Sequence, residues 1–173
     1  MLYSLCPKMR GKKLSLLKYS RINYWLIISS LIIIADQTSK AWAARNLVFG
    51  KFYSVIPQVN LYLTHNKGIA FSLFAASSQT IHNILLITSC LIIVALTVFE
   101  FRLKPKQHIL RIAFALIIGG AIGNVVDKVC LGYVIDFIDF YISNWHFATF
   151  NIADAAISIG AALLIIDSFY QKN

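Results

Sequence analysis

Seven acidic side chains are spread through 173 residues: Asp36, Glu100, Asp127, Asp136, Asp139, Asp154 and Asp167. Two carboxylates forced close together cannot both ionise, so one keeps a proton while the other acts as base on a shared water. That is the chemistry of aspartic peptidases. Competing chemistries lack their residues. His65, His82, His108 and His146 have no metal-ligand spacing, so no metal and no cofactor is expected. Cys6, Cys90 and Cys130 are odd in number and scattered, which implies neither a disulfide framework nor a CxxC redox site. Ser39 beside Lys40 suggests a serine-lysine dyad, yet adjacent helical residues point about 100° apart and cannot face each other.

The elements that must position these acids are membrane helices. The chain is 58% hydrophobic and 13% charged, against a soluble norm of about 45–50% apolar and about 25% charged. A bilayer core takes roughly 20 apolar residues to cross, and such runs lie near residues 24–44, 81–101, 110–129 and 153–170. No repeat or polar linker divides residues 1–173, so one integral membrane domain is expected, with residues 1–23 as a basic leader. Lys and Arg are retained on the cytoplasmic side. Lys8, Arg10, Lys12, Lys13, Lys18 and Arg21 fill the leader, and Arg102, Lys104, Lys106 and Arg111 fill the second connection. The other two connections carry only Lys51 and Lys67. Both termini are therefore expected in the cytoplasm. The net charge of +9 then reflects topology and anionic membrane lipids, and a nucleic-acid partner is not expected. A cleaved signal peptide is the rival reading of the first apolar run, with Ala41 and Ala43 in A-x-A spacing. The long basic leader and the charged pair Asp36 and Lys40, one helical turn apart, favour a retained helix.

The first outer connection alternates through residues 52–56 and 59–63 and reads as a short hairpin at the membrane surface. The second, "LGYVIDFIDFYISNWHFATFN", is crowded with aromatics that favour the headgroup boundary. Glu100 and Asp167 map to inner helix ends, where a solvated charge is the ordinary reading. The other five acids map to the outer half or rim, and ionisable groups at membrane depth default to functional hypotheses. Each also has a structural reading. Asp36 with Lys40 reads as an ion pair. Asp127 shares a face with Gly120 and Asn124, and Gly119 and Gly123 have the small-xxx-small spacing of close-packed helices, so Asp127 can serve packing as well as chemistry. Asp154 can be a first-turn acid favoured by the helix dipole. A proton-coupled transporter or channel subunit is the alternative function, but its relay needs ionisable groups staggered through the membrane, and these cluster on one side.

The order of motifs resembles the lipoprotein signal peptidase (signal peptidase II) family from about Leu31 to Tyr170. Five segments carry the likeness: "DQTSK" from Asp36, "NKGIAFS" from Asn66, "GGAIGNVVDK" from Gly119, "VIDFID" from Val134 and "FNIADAAI" from Phe150. The resemblance implies an all-α membrane fold of four transmembrane helices with a small β-sheet cradle on the outer face. It implies Asp136 and Asp154 as the catalytic dyad, with Asp36, Lys40, Asn66, Gly120, Asn124, Asp127, Asn151 and Ala153 shaping or supporting the site. It further implies a substrate, a prolipoprotein whose signal-peptide cysteine carries diacylglycerol, cut just before that cysteine at the outer face of a bacterial inner membrane. No obligate protein partner is implied. One departure stands out, because Lys128 follows Asp127 where the family pattern has arginine, so bidentate hydrogen bonding is lost there.

Overall fold

The structure, a computed structural model, describes residues 24–67, 79–104 and 106–170. The leader and most of the "NKGIAFS" segment, from Gly68 onward, lie outside them. The order is α1 (Tyr24–Asn46), β1 (Phe52–Ile56), β2 (Val59–Asn66), α2 (Gln79–Arg102), α3 (His108–Leu131), β3 (Val134–Ile142), β4 (Trp145–His146) and α4 (Ile152–Tyr170). Each apolar run expected to be helical is a helix, longer by a residue or two at most ends. Neither α1 nor α2 contains Gly or Pro, so nothing interrupts their hydrogen-bond ladders. Gly132, at φ 80°, stops α3 and gives its N–H to the Lys128 carbonyl. The chain then enters β3 two residues on.

The four strands form one antiparallel sheet in the order β1-β2-β3-β4. Pro57 and Gln58, the latter at φ 73°, turn β1 into β2. Strand β2 pairs with β3 so that Thr64 faces Asp136 and Asn60 faces Asp139. Because side chains alternate along a strand, Asp136 and Asp139 point to opposite sides of the sheet. Ile135 and Phe137 pack with Ala43 and Leu63, which seats the sheet on the end of α1.

Helix α3 packs against α1, α2 and α4. Most of its buried residues are small, Ala113, Ala115, Gly119, Gly120 and Gly123, joined by Ile118 and Asp127. What is buried and what is exposed are inverted relative to a water-soluble protein. The largest wholly buried side chains are Lys40, Glu100, Asn151, Asp36, Asp136 and Asp139, while Leu31, Ile34, Leu91, Val94 and Ile165 are exposed. Lipid, not water, suits that surface. Among the described residues, three helical stretches are long and apolar enough to cross a membrane, Asn83–Arg102, His108–Leu131 and Ile152–Tyr170. Four spans were expected. Helix α1 is not among the three because the polar run Asp36, Gln37, Thr38, Ser39 and Lys40 dilutes its apolar character.

Candidate active site

Helix α4 begins with a reciprocal cap. Asn151, one residue before the helix, accepts the Asp154 N–H on Oδ1 at 2.9 Å, and the Asp154 carboxylate accepts the Asn151 N–H at 3.2 Å. This is the capping-box arrangement with Asn and Asp in place of Ser and Glu. It fixes Asp154 on the first helical turn, where backbone dipoles favour a negative charge. The other Asp154 oxygen accepts Asn124 Nδ2 from α3 at 2.8 Å.

Asn151 also reaches the sheet. Its Nδ2 donates to Asp136 Oδ1 at 2.7 Å, and Asn66 Nδ2 donates to Asp136 Oδ2 at 3.0 Å. One buried asparagine thus joins both aspartates. Burial pushes the Asp136 carboxyl up to about 6, and the neighbouring Asp154 charge pushes the same way; the Asn66 and Asn151 amides and the Lys40 charge pull it down. Desolvation outweighs three favourable contacts because the group is almost completely removed from solvent.

Behind the dyad lies a fully paired cation. Lys40 Nζ contacts Asp36 Oδ2 at 2.8 Å, Asp127 Oδ2 at 3.0 Å and Asn124 Oδ1 at 3.0 Å, three acceptors for its three protons. Asp36 Oδ1 in turn accepts the Ala153 N–H at 2.9 Å, and Asp127 Oδ2 accepts the Ile135 N–H at 3.1 Å. The network therefore ties α1 and α3 to the first turn of α4 and to the start of β3. Asn124, Asn151 and both aspartates of the site hang from elements it fixes. Such closeness needs glycine: a Cβ on Gly120 would fall on the Ala153 carbonyl oxygen, and one on Gly123 would sit 2.6 Å from Asp36 Oδ2.

Every residue the resemblance implicated is in this assembly. Asp139 is not. It faces the other side of β3, where it accepts Asn60 Nδ2 at 2.9 Å and pairs with His146 Nδ1 at 2.9 Å. Lys128 forms no ion pair with Asp154 among the described residues. Reading the sequence residue by residue missed Gln37, whose Nε2 bridges the Gly123 carbonyl at 3.1 Å and Asp127 Oδ1 at 2.9 Å. Its place next to Asp36 in the polar stretch of residues 36–40, set in a membrane-length apolar run, was the signal. Ser39 turns away, bonding the Asp36 carbonyl. Glu100 is paired at 3.7 Å with Arg111, not with the acids of the site, so the described residues contain no staggered relay.

Asp136 and Asp154 both front a cavity of about 1350 Å³ walled by Ile138, Phe140, Phe147 and Ile159. Two linked carboxylates at an apolar cavity, one on a strand and one on a helix fit for a bilayer, suit one class: a membrane-embedded hydrolase of aspartic type. The chain belongs to the signal peptidase II family, whose model, described as signal peptidase (SPase) II, matches residues 28–170. Among its relatives, the lipoprotein signal peptidase of Klebsiella pneumoniae subsp. pneumoniae is 43% identical over 148 residues, covering 86% of this chain and 89% of that protein. The lipoprotein signal peptidase of Salmonella newport gives the same figures. Two solved structures, each described as a bacterial membrane enzyme determined by the in meso method, superpose with TM-scores of 0.79 and 0.74 at 30% and 31% identity. They cover 88% and 85% of this chain, and 92% and 93% of their own.

Proposed function

We propose that Asp136 and Asp154 are the catalytic dyad of a prolipoprotein signal peptidase acting at the outer face of a bacterial cytoplasmic membrane. The observation that carries this reading is the Asn151 bridge, which holds two carboxylates from different elements at one cavity wall. Asp154 is the base, stabilised as an anion by the helix start and two amide donors. Asp136, whose burial favours its protonated form, is the acid. A water held between them loses a proton to Asp154 as its oxygen attacks the scissile carbonyl, and Asp136 gives its proton to the carbonyl oxygen. Collapse of the resulting diol returns a proton to Asp136 while Asp154 protonates the leaving amine. The peptide bond breaks, and acid and amine products separate without a covalent intermediate.

The substrate is a lipid-modified prolipoprotein carrying a diacylglyceryl cysteine just after the cut. An apolar cavity at the dyad suits an acylated chain arriving sideways from the bilayer. Helix α1 is the fourth span in this reading. Its 23 residues extend about 35 Å, enough for a core of about 30 Å. Its charges Asp36 and Lys40 point inward, fully paired, and lipid meets Leu26, Ile27, Leu31 and Ile34 instead. Both termini then lie in the cytoplasm, as the basic leader and the connection around Lys104 require, and residues 1–173 form one domain. Purified protein incubated with a diacylglyceryl-modified prolipoprotein tests the reading. Release of the signal peptide supports it, and release from an unlipidated precursor at the same rate removes the lipid requirement.

A further inference from the structure

Beyond Asp154 the cavity continues along α4. Asp154, Ala155, Ser158 and Ile159 all line it, a spacing that keeps them on one face of the helix. Ser158 therefore lies one turn, about 6 Å, further along the helix than Asp154. Thr38, Ser89, Thr97 and Ser168 close their hydroxyls onto carbonyls of their own helices. Ser158 makes no such bond and has no hydrogen-bond partner among the described residues. Its neighbours along α4 in the wall are Asp154, Ala155 and Ile159. Ser158 is exposed at the cavity wall, so its hydroxyl is open to a ligand there, and in a bilayer, where water is scarce, a ligand acceptor is the partner it would gain.

We propose that Ser158 is a substrate-binding, specificity-determining residue whose hydroxyl donates a hydrogen bond to a carbonyl oxygen of the substrate, on the membrane side of the scissile bond. The inference rests on the peptidase reading of Asp136 and Asp154. A substrate must be extended where water attacks it, so the residues beside the cut lose their helical hydrogen bonds and present bare carbonyls in a medium that offers no water. The diacylglyceryl anchor presents ester carbonyls at a similar depth. Both sources offer the same chemistry, an acceptor-only oxygen.

Steady-state cleavage by the purified full-length chain and its Ser158→Ala and Ser158→Thr variants separates the outcomes. The probes are a prolipoprotein peptide carrying a diacylglyceryl cysteine and its dialkyl-ether counterpart. Ser158→Ala should raise KM on the order of tenfold with kcat unchanged, the pattern of a lost binding contact worth one hydrogen bond. Ser158→Thr, which keeps the hydroxyl, should restore KM. A rise with both substrates assigns the contact to the peptide backbone; a rise confined to the ester substrate assigns it to the lipid anchor. An unchanged KM in Ser158→Ala beside an active wild type overturns the inference, as does a loss confined to kcat or a Ser158→Thr enzyme no better than the alanine variant. A wild type that cleaves neither probe overturns the peptidase reading beneath it.

Discussion

Replacing Asp136 by Asn should stabilise the protein while it abolishes turnover, and the stabilisation should depend on pH. Asp136 is buried and its carboxyl is pushed up from 3.8 to about 6. In the unfolded chain the group releases its proton near pH 4, but in the folded chain it keeps it until about pH 6. Between those values the folded state binds more protons, so stability falls as pH rises across the window, and the cost is fully present above it. A gap of roughly two pH units corresponds to about 3 kcal/mol. Asparagine carries no charge and escapes that cost. It offers a single acceptor oxygen, however, where the carboxylate serves Asn151 at 2.7 Å and Asn66 at 3.0 Å, so one hydrogen bond of about 1 kcal/mol is forfeited. The net expectation is a gain on the order of 2 kcal/mol at neutral pH that shrinks or reverses near pH 4. Turnover should fall on the order of 100- to 10,000-fold. Thermal unfolding in detergent, followed by tryptophan fluorescence from about pH 4 to 7, reads the first effect, and cleavage of lipidated substrate reads the second. A stability difference that is the same at both ends of the pH range would refute the buried, proton-retaining aspartate.

Three further outcomes follow from the same network. Lys40→Met leaves Asp36 and Asp127 buried without their cation and should cost about 3–5 kcal/mol, read as a drop in unfolding temperature that a similarly apolar change at exposed Ile34 does not produce. Gly120→Ala drives a methyl into the Ala153 carbonyl and should cost about 1–3 kcal/mol, with a fall in kcat because Ala153 precedes Asp154; wild-type kcat in this variant would show that the α3–α4 approach does not position the dyad. Strong chelators should leave cleavage intact, since each carboxylate oxygen of the dyad already accepts an amide hydrogen, and activity lost to chelation and restored by zinc would overturn the two-aspartate mechanism.

Three of the helices were legible as apolar runs of bilayer length, and the first, which a signal peptide could also have explained, was legible as a retained helix through its charged pair Asp36 and Lys40. The Asp36–Lys40 pair was legible too, since partners one turn apart announce themselves locally. Its completion by Asn124 and Asp127 was not, because those acceptors come from another helix more than 80 residues away, and only packing brings them in. Strand β3 was harder still. "VIDFIDFYI" is apolar on both faces, and Asp136 and Asp139 at a spacing of three resemble one face of a helix as much as two faces of a strand. The strand assignment decides their roles: one fronts the cavity, and the other, on the opposite face of the strand, binds Asn60 and His146. The cap role of Asp154 and its site role, which the sequence left as alternatives, turn out to be compatible. The carboxylate that closes the capping box with Asn151 is the one held at the cavity wall. Residues Gly68 to Ser72 of the second motif lie outside the described residues.

The dyad is tested most directly by single-turnover cleavage of a diacylglyceryl-modified prolipoprotein with Asp154→Asn, Asp136→Asn and the double variant, each shown to be folded by its thermal transition. If one water and one shared proton connect the two carboxylates, either change alone removes most of the catalysis, and the double variant is scarcely slower than either single one, because groups that act as a unit are not additive. A folded Asp154→Asn protein that cleaves at the wild-type rate would return Asp154 to a helix cap and leave the proposed mechanism without its base.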